Sequence, residues 1–260
     1  MTPWDRGAGA WLTRYTPHRP GGGRVQLVCL PHAGGSATFF QPLARAFEAL
    51  PDAPFEVLAV QYPGRQERRS EPLVDDLLVL ADRVAEALRH AGDTPVLLFG
   101  HSMGALVAWE AARRLRRPGD TPPVGLVVSG RGAPSLHRDV RLHLRTDAEL
   151  VADLRYLSGT ASDLLTDPGV LGMVLPVLRA DYKAVDGYRY QPASPLGCPV
   201  SVFLGDRDPW AREREARGWR EETTGPVTFR TFPGDHFYLT AGWDAVALAV
   251  AGSRTGVTAG

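Results

Sequence analysis

Three residues of catalytic type each stand just beyond an apolar run. Ser102 lies in Gly100-His101-Ser102-Met103-Gly104, Asp208 in Gly205-Asp206-Arg207-Asp208, and His236 in "FPGDHFYL". A serine hydroxyl attacks poorly by itself. With a histidine in reach to take its proton, and a carboxylate to orient that histidine, it becomes an acyl-accepting nucleophile. The other duty open to Ser102, capping the helix that follows, needs neither partner.

Local context favours the nucleophile. Val96 to Phe99 reads as a buried strand, and Gly104 to Arg117 as a helix stopped by Pro118-Gly119. Strand, tight turn and helix around G-x-S-x-G form a nucleophile elbow, whose glycines leave out Cβ atoms that would strike the neighbouring strand and helix. Asp208 and His236 occupy loops after later strands, at the strand ends where α/β folds build sites. The chain order Ser, Asp, His is that of an α/β-hydrolase. The usual spacing, a glycine with the acid three residues on, selects Asp208, leaving Asp206 to brace the turn and Asp235 to act as a cap or solvated charge.

A tetrahedral intermediate also needs donors for its oxyanion. The elbow supplies the backbone N–H of Met103. An early strand, Val25 to Leu30, runs into "PHAGGSATFF", a loop of small residues whose Ala33 N–H is the expected second donor, with Gly34 next. Ser36 or Thr38 would cap the following turn. His32 and His101 flank the site and are expected to shape it without transferring protons.

The elements that position these loops are legible from periodicity. Val25–Leu30, Phe55–Val60, Val96–Phe99, Leu126–Ser129 and Val200–Leu204 are short apolar runs rich in β-branched residues; Val227–Phe232 alternates. Helical periodicity fills Phe39–Leu50 and about Val74–His90, and a last helix passes through Trp243 and Leu248. Runs apolar on both faces suit strands covered by helices on either side, hence a mostly parallel sheet in a doubly wound α/β fold. The rhythm breaks over 131–195, which is helical throughout and reads as an inserted lid on a core formed by 1–130 and 196–260. The "GGG" at 21–23 reads as a flexible lead-in, and the last nine residues as a frayed tail.

Composition narrows the function. Twenty-nine basic and 29 acidic residues cancel, so no global field draws the chain to nucleic acid or an anionic membrane. The N-terminus has no continuous apolar core of signal-peptide length, and no uncharged apolar stretch reaches membrane-span length. Cys29 and Cys198 lie in apolar runs and form no disulfide framework, which suits a reducing cytoplasm. No metal cluster or phosphate-binding glycine motif is apparent, so no cofactor is expected.

"LPHAGGSATFFQPLA", "VQYPGRQERRSEP", "FGHSMGALVAWEAARRL", "SGRGAP", "FLGDRDPW" and "PGDHFYL" together resemble the type II thioesterases that accompany polyketide and non-ribosomal peptide synthetases. The resemblance spans nearly the whole chain outside the insertion. It implies hydrolysis of aberrant or stalled acyl groups from the phosphopantetheine arm of acyl- or peptidyl-carrier proteins, with the arm belonging to the substrate. It also implies that the insertion is a lid over an acyl chamber, where Leu150, Leu154, Leu157, Leu164, Leu165, Val174, Leu175 and Leu178 are candidate lining or packing residues. Arg65, Arg68 and Arg69 are candidates to meet an acidic carrier domain, or simply a solvated loop. With no carrier-attachment motif in the sequence, a stand-alone enzyme is expected, and with no evident assembly motif, a monomer. A general serine esterase or fatty-acyl thioesterase on the same residues, and a non-catalytic carrier-binding or acyltransferase module, are the competing readings.

Overall fold

The computed structural model describes residues 11–16, 25–50, 55–90, 92, 94–137, 140–158 and 167–253. The side chains of Leu154 and Leu157, the residues Leu164 and Leu165, the stretch 21–23 and the tail from 254 lie outside the described residues.

The strands β1 (Leu12–Arg14), β2 (Val25–Leu30), β3 (Phe55–Val60), β4 (Val96–His101), β5 (Gly125–Ser129), β6 (Val200–Gly205) and β7 (Val227–Phe232) form one sheet in the order β1-β3-β2-β4-β5-β6-β7. All neighbours pair in parallel except β1, which runs antiparallel to β3. Periodicity does not announce β1, a three-residue edge strand; it is held by the ladder of Leu12 against Val60. Strands β2 to β6 are buried along their whole length, as apolar runs on both faces require, whereas β7 alternates as an edge strand does.

Helices α1 (Gln41–Glu48) and α7 (Trp243–Gly252) cover one face, packing Leu43, Phe47, Val246 and Val250 on Leu27, Cys29, Phe99 and Val127. Helices α2 (Leu77–Arg89) and α3 (Met103–Arg114) cover the other, packing Leu80, Val84 and Val107 on Val28, Leu30, Leu98 and Val128. The alternation of side chains along each strand separates these two cores. Asp76 caps α2 by accepting from Leu78 N and Val79 N at 2.8 and 3.3 Å. Helix α3 ends three residues before the sequence-expected stop at Arg117. The turn before α1 is 3₁₀; Ser36 stands at its start but bonds Thr38 Oγ1 instead of capping it.

Between β5 and β6 the described residues include the helices α4 (Asp147–Ser158) and α5 (Pro168–Gly187) and two short 3₁₀ turns, and no strand. Leu142, Leu150, Leu175, Leu178 and Tyr182 form this segment's own small core. A short helix α6 (Glu213–Ala216) follows β6. Among the described residues no helix is long and apolar enough to cross a membrane.

Candidate active site

Strand β4 delivers Ser102 at its C-terminal end, and α3 begins one residue later. Ser102 has φ 55° and ψ −115°, a conformation that a non-glycine residue holds only when its surroundings over-determine it. The surroundings do so. A Cβ at Gly100 would lie 2.2 Å from Gly104 O, and one at Gly104 would lie 2.0 Å from Leu30 O. Helix, turn and strand therefore approach as only glycine allows, while Ser102 N donates to Ser129 O at 2.8 Å. The Ser102 side chain makes no capping bond to α3, which sets aside the capping duty.

The loop after β6 carries Asp208, and the loop after β7 carries His236. Asp208 is 7% exposed and His236 4%. Asp208 Oδ1 accepts from Trp210 N and Ala211 N at 2.8 and 3.3 Å, and Oδ2 accepts from His236 Nδ1 at 2.8 Å. An ionised carboxylate only accepts, so Nδ1 carries the proton and Nε2 is the basic nitrogen. Asp206 is excluded from this pairing: its Oδ1 accepts from Gly234 N at 2.8 Å and braces the two loops. Asp235 Oδ1 accepts from Phe237 N at 2.9 Å, as a local cap does.

Ser102, Met103, Ala33 and His236 line one cavity of about 60 Å³. The backbone N–H groups of Ala33 and Met103 have no hydrogen-bond partner among the described residues, leaving two free donors beside the serine. Gly34, the second choice for that role, is unavailable because its N–H donates to Asp181 Oδ2 at 2.7 Å.

Two further histidines crowd the site without competing for protons. His101 Nδ1 bonds Ser129 Oγ at 2.9 Å, which in turn bonds Tyr238 OH at 2.7 Å. The His101 ring lies 5.0 Å from that of His236 and 5.8 Å from that of His32. Burial, reinforced by the neighbouring His236, pushes His32 down to about 3 and His101 well below the ordinary imidazole value. Both stay neutral near pH 7.

The remaining walls are Tyr182 and Val185 of α5, Leu142, Arg131 and Trp210. Beyond Arg131, Leu142, Val185 and Trp210, which it shares, lies a second cavity of about 370 Å³ reaching Leu136, Val140 and Arg212. The leucines singled out within 131–195 behave differently. Leu150, Leu175 and Leu178 pack among themselves, and Val174 is half-buried. Sequence reasoning missed Tyr182 and Val185, although they follow Leu178 at helical spacing. It missed Asp181 too, a carboxylate embedded in that apolar pattern. The arginine trio also divides: Arg65 and Arg68 are each 7% exposed, Arg65 bonded to Asp181 and Arg68 to Glu71 and over the Trp11 ring, so only Arg69 faces solvent. Among the described residues no group of three His, Cys, Asp or Glu is arranged to hold a metal.

Comparison with known proteins identifies the family. The family model "Thioesterase domain" matches residues 25–252. Thioesterase PikA5 of Streptomyces venezuelae is 44% identical over 245 residues, covering 94% of this chain and 85% of that one. The gramicidin S biosynthesis protein GrsT of Aneurinibacillus migulanus is 35% identical over 217 residues, covering 83% of each. The structure of the type II thioesterase BorB from the borrelidin biosynthetic cluster superposes with a TM-score of 0.85 at 46% identity, covering 94% of this chain and 97% of that one. The chain therefore belongs to the thioesterase family, with the α/β-hydrolase fold, and is a thioester hydrolase.

Proposed function

We propose that this thioesterase clears acyl or peptidyl groups from the phosphopantetheine arm of carrier-protein domains in polyketide or non-ribosomal peptide synthesis. The observation that carries the reading is the convergence on one cavity of Ser102 at its strained elbow, the His236–Asp208 pair and two unbonded N–H groups. The biosynthetic setting of the relatives supports the substrate class.

In the proposed reaction Ser102 Oγ attacks the thioester carbonyl carbon while its proton passes to His236 Nε2. The carbonyl oxygen becomes an oxyanion that accepts from Ala33 N–H and Met103 N–H. Collapse breaks the C–S bond, and His236 Nε2 passes the proton it took from Ser102 to the departing sulfur, which leaves as the pantetheine thiol. A thiol has a pKa near 8.5, so pantetheine leaves more readily than an alkoxide would. Water then attacks the acyl-serine and gives a proton to His236; as the second tetrahedral intermediate breaks its bond to Ser102 Oγ, His236 returns that proton to the oxygen, freeing the acid and the serine hydroxyl. Asp208 keeps His236 in the tautomer this sequence requires. The arm is part of the substrate, and the steps use only this chain's residues and water.

The cavity at Ser102, about 60 Å³ and walled by Trp210, is proposed to favour short acyl groups. The free thiols Cys29 and Cys198 fit a cytoplasmic setting, and the chain is proposed to act as a monomer, which sedimentation checks directly.

The test is mass spectrometry of a carrier protein bearing a short acyl-phosphopantetheine arm, incubated with the enzyme or with Ser102→Ala. Loss of the acyl mass with the arm retained, only for the unaltered enzyme, is expected. An arm that stays loaded while simple esters are cleaved would transfer the assignment to an esterase.

A further inference from the structure

The loop that presents Ala33 does not hold its own shape. Gly34 has φ +77°, and its N–H is taken by Asp181 Oδ2 at 2.7 Å. That same carboxylate oxygen accepts from Arg65 NH2. Arg65 then returns to the loop: its Nε donates to Gly35 O at 2.8 Å, while NH1 donates to Pro63 O at 2.8 Å. Leu178, one turn before Asp181 on α5, packs where a Gly34 side chain would be, its Cδ1 3.2 Å from that position. Gln61 fastens the far side, accepting from Ala37 N at 3.0 Å and donating to Arg65 O at 3.3 Å.

Arg65 is 7% exposed and Asp181 1%. Taking both charges out of water costs several kcal/mol per ion, so such a pair is weak evidence for stability alone. What the pair does here is geometric. The peptides that carry the Gly34 and Gly35 N–H groups are planar, and both donors are consumed, by Asp181 and by His32 O at 3.0 Å. Rotation of the turn is thereby blocked, with the Ala33 N–H left unbonded on the cavity side.

We infer that Asp181 of the lid helix, acting through Gly34 and the forked guanidinium of Arg65, is a positioning residue for the oxyanion loop, so that the lid's packing on the core sets the Ala33 donor. The inference rests on the proposed Ser102 mechanism. Neither residue touches the reacting atoms; both act through the backbone of 33–35. Removing one oxyanion donor costs about 10²–10³ in kcat, and a misplacement near 1 Å costs about 10², so a mis-set loop should lower kcat/KM by about 10².

The experiment compares the unaltered enzyme with Asp181→Asn, Arg65→Lys and the double variant Arg65→Met/Asp181→Leu. The double variant replaces the buried pair with apolar side chains of similar size, a change that buried ion pairs often tolerate, so a folded protein without the tether is obtained even if Asp181→Asn is unstable. Arg65→Lys keeps the charge but not the fork. Measured on each are Tm, kcat and KM for a short acyl-pantetheine thioester, the affinity of a trifluoromethyl-ketone analogue that forms a tetrahedral adduct with serine, and the affinity of the corresponding unreactive thioether. The expected result is a folded double variant with kcat/KM down by about 10², tetrahedral-analogue affinity falling in step, and thioether affinity unchanged. A folded double variant with full kcat/KM, or a loss confined to KM with the tetrahedral analogue still tightly bound, overturns the inference. If the unaltered enzyme hydrolyses no thioester and the ketone fails to label Ser102, the functional reading itself falls, and this inference with it.

Discussion

His236 Nδ1 donates to Asp208 Oδ2 at 2.8 Å, although the two residues arrive on separate loops after β6 and β7. The same carboxylate is held on its other oxygen by two backbone N–H groups of its own loop. The orientation of the imidazole is thus fixed from outside the cavity.

Asp208→Asn keeps the shape of this pair but presents an amide that can donate to Nδ1, favouring the tautomer in which Nε2 carries the proton. Expected is a fall in kcat of about 10³–10⁴ with little change in Tm. Asp206→Asn, on the bracing residue, should leave kcat near that of the unaltered enzyme. Steady-state kinetics on a short acyl thioester decides it; equal losses in both variants would reassign the acid.

Gly104→Ala should not yield a stable protein. Its Cβ would sit 2.0 Å from Leu30 O, a backbone atom of a central strand, and neither strand nor helix can retreat without opening the core. A loss above about 4 kcal/mol is expected in urea unfolding. Gly172→Ala provides the contrast, because nothing lies within 4 Å of that added Cβ in the exposed turn of α5. It should gain about 0.5–1 kcal/mol.

Acid should weaken the fold through the buried histidines. His32 titrates at about 3 in the fold and His101 well below its ordinary 6.5, so between pH 6.5 and about 3 the unfolded chain binds protons that the folded chain refuses. Stability is therefore complete above pH 6.5 and falls as pH drops through that window, by at most about 1.4 kcal/mol per unit for each histidine. Urea midpoints at pH 7.5, 6 and 5 measure the slope, and His32→Gln should flatten it. A midpoint independent of pH over that range would contradict the assignment.

Trp210 stands between the chamber of Ser102 and the larger cavity beyond. Trp210→Ala should join the two and shift preference toward longer acyl chains. The expected outcome is a rise of about tenfold, within the range that one pocket contact decides, in the ratio of kcat/KM for octanoyl over propionyl thioester. An unchanged ratio would place the acyl chain elsewhere.

Much of this protein is written in short stretches of its sequence, because the physics there is local. Alternation and two-sided apolar runs mark β2 to β7, since burial on a pleated strand repeats every two residues. The elbow is legible because residues 100–104 carry both glycines that the close approach of strand and helix requires, and the order Ser102, Asp208, His236 follows from where loops meet the strand ends. The edge strand β1 escapes because three residues carry too little periodicity. The engagement of the Gly34 N–H, the burial of Arg65, the contacts of Asp181, and the walls Leu142, Tyr182, Val185 and Trp210 were decided only by the tertiary structure. Each depends on a partner far along the chain, as Gly34 depends on Asp181. A hydrogen-bond donor is free or spoken for according to what packs beside it, and no local pattern encodes that neighbour.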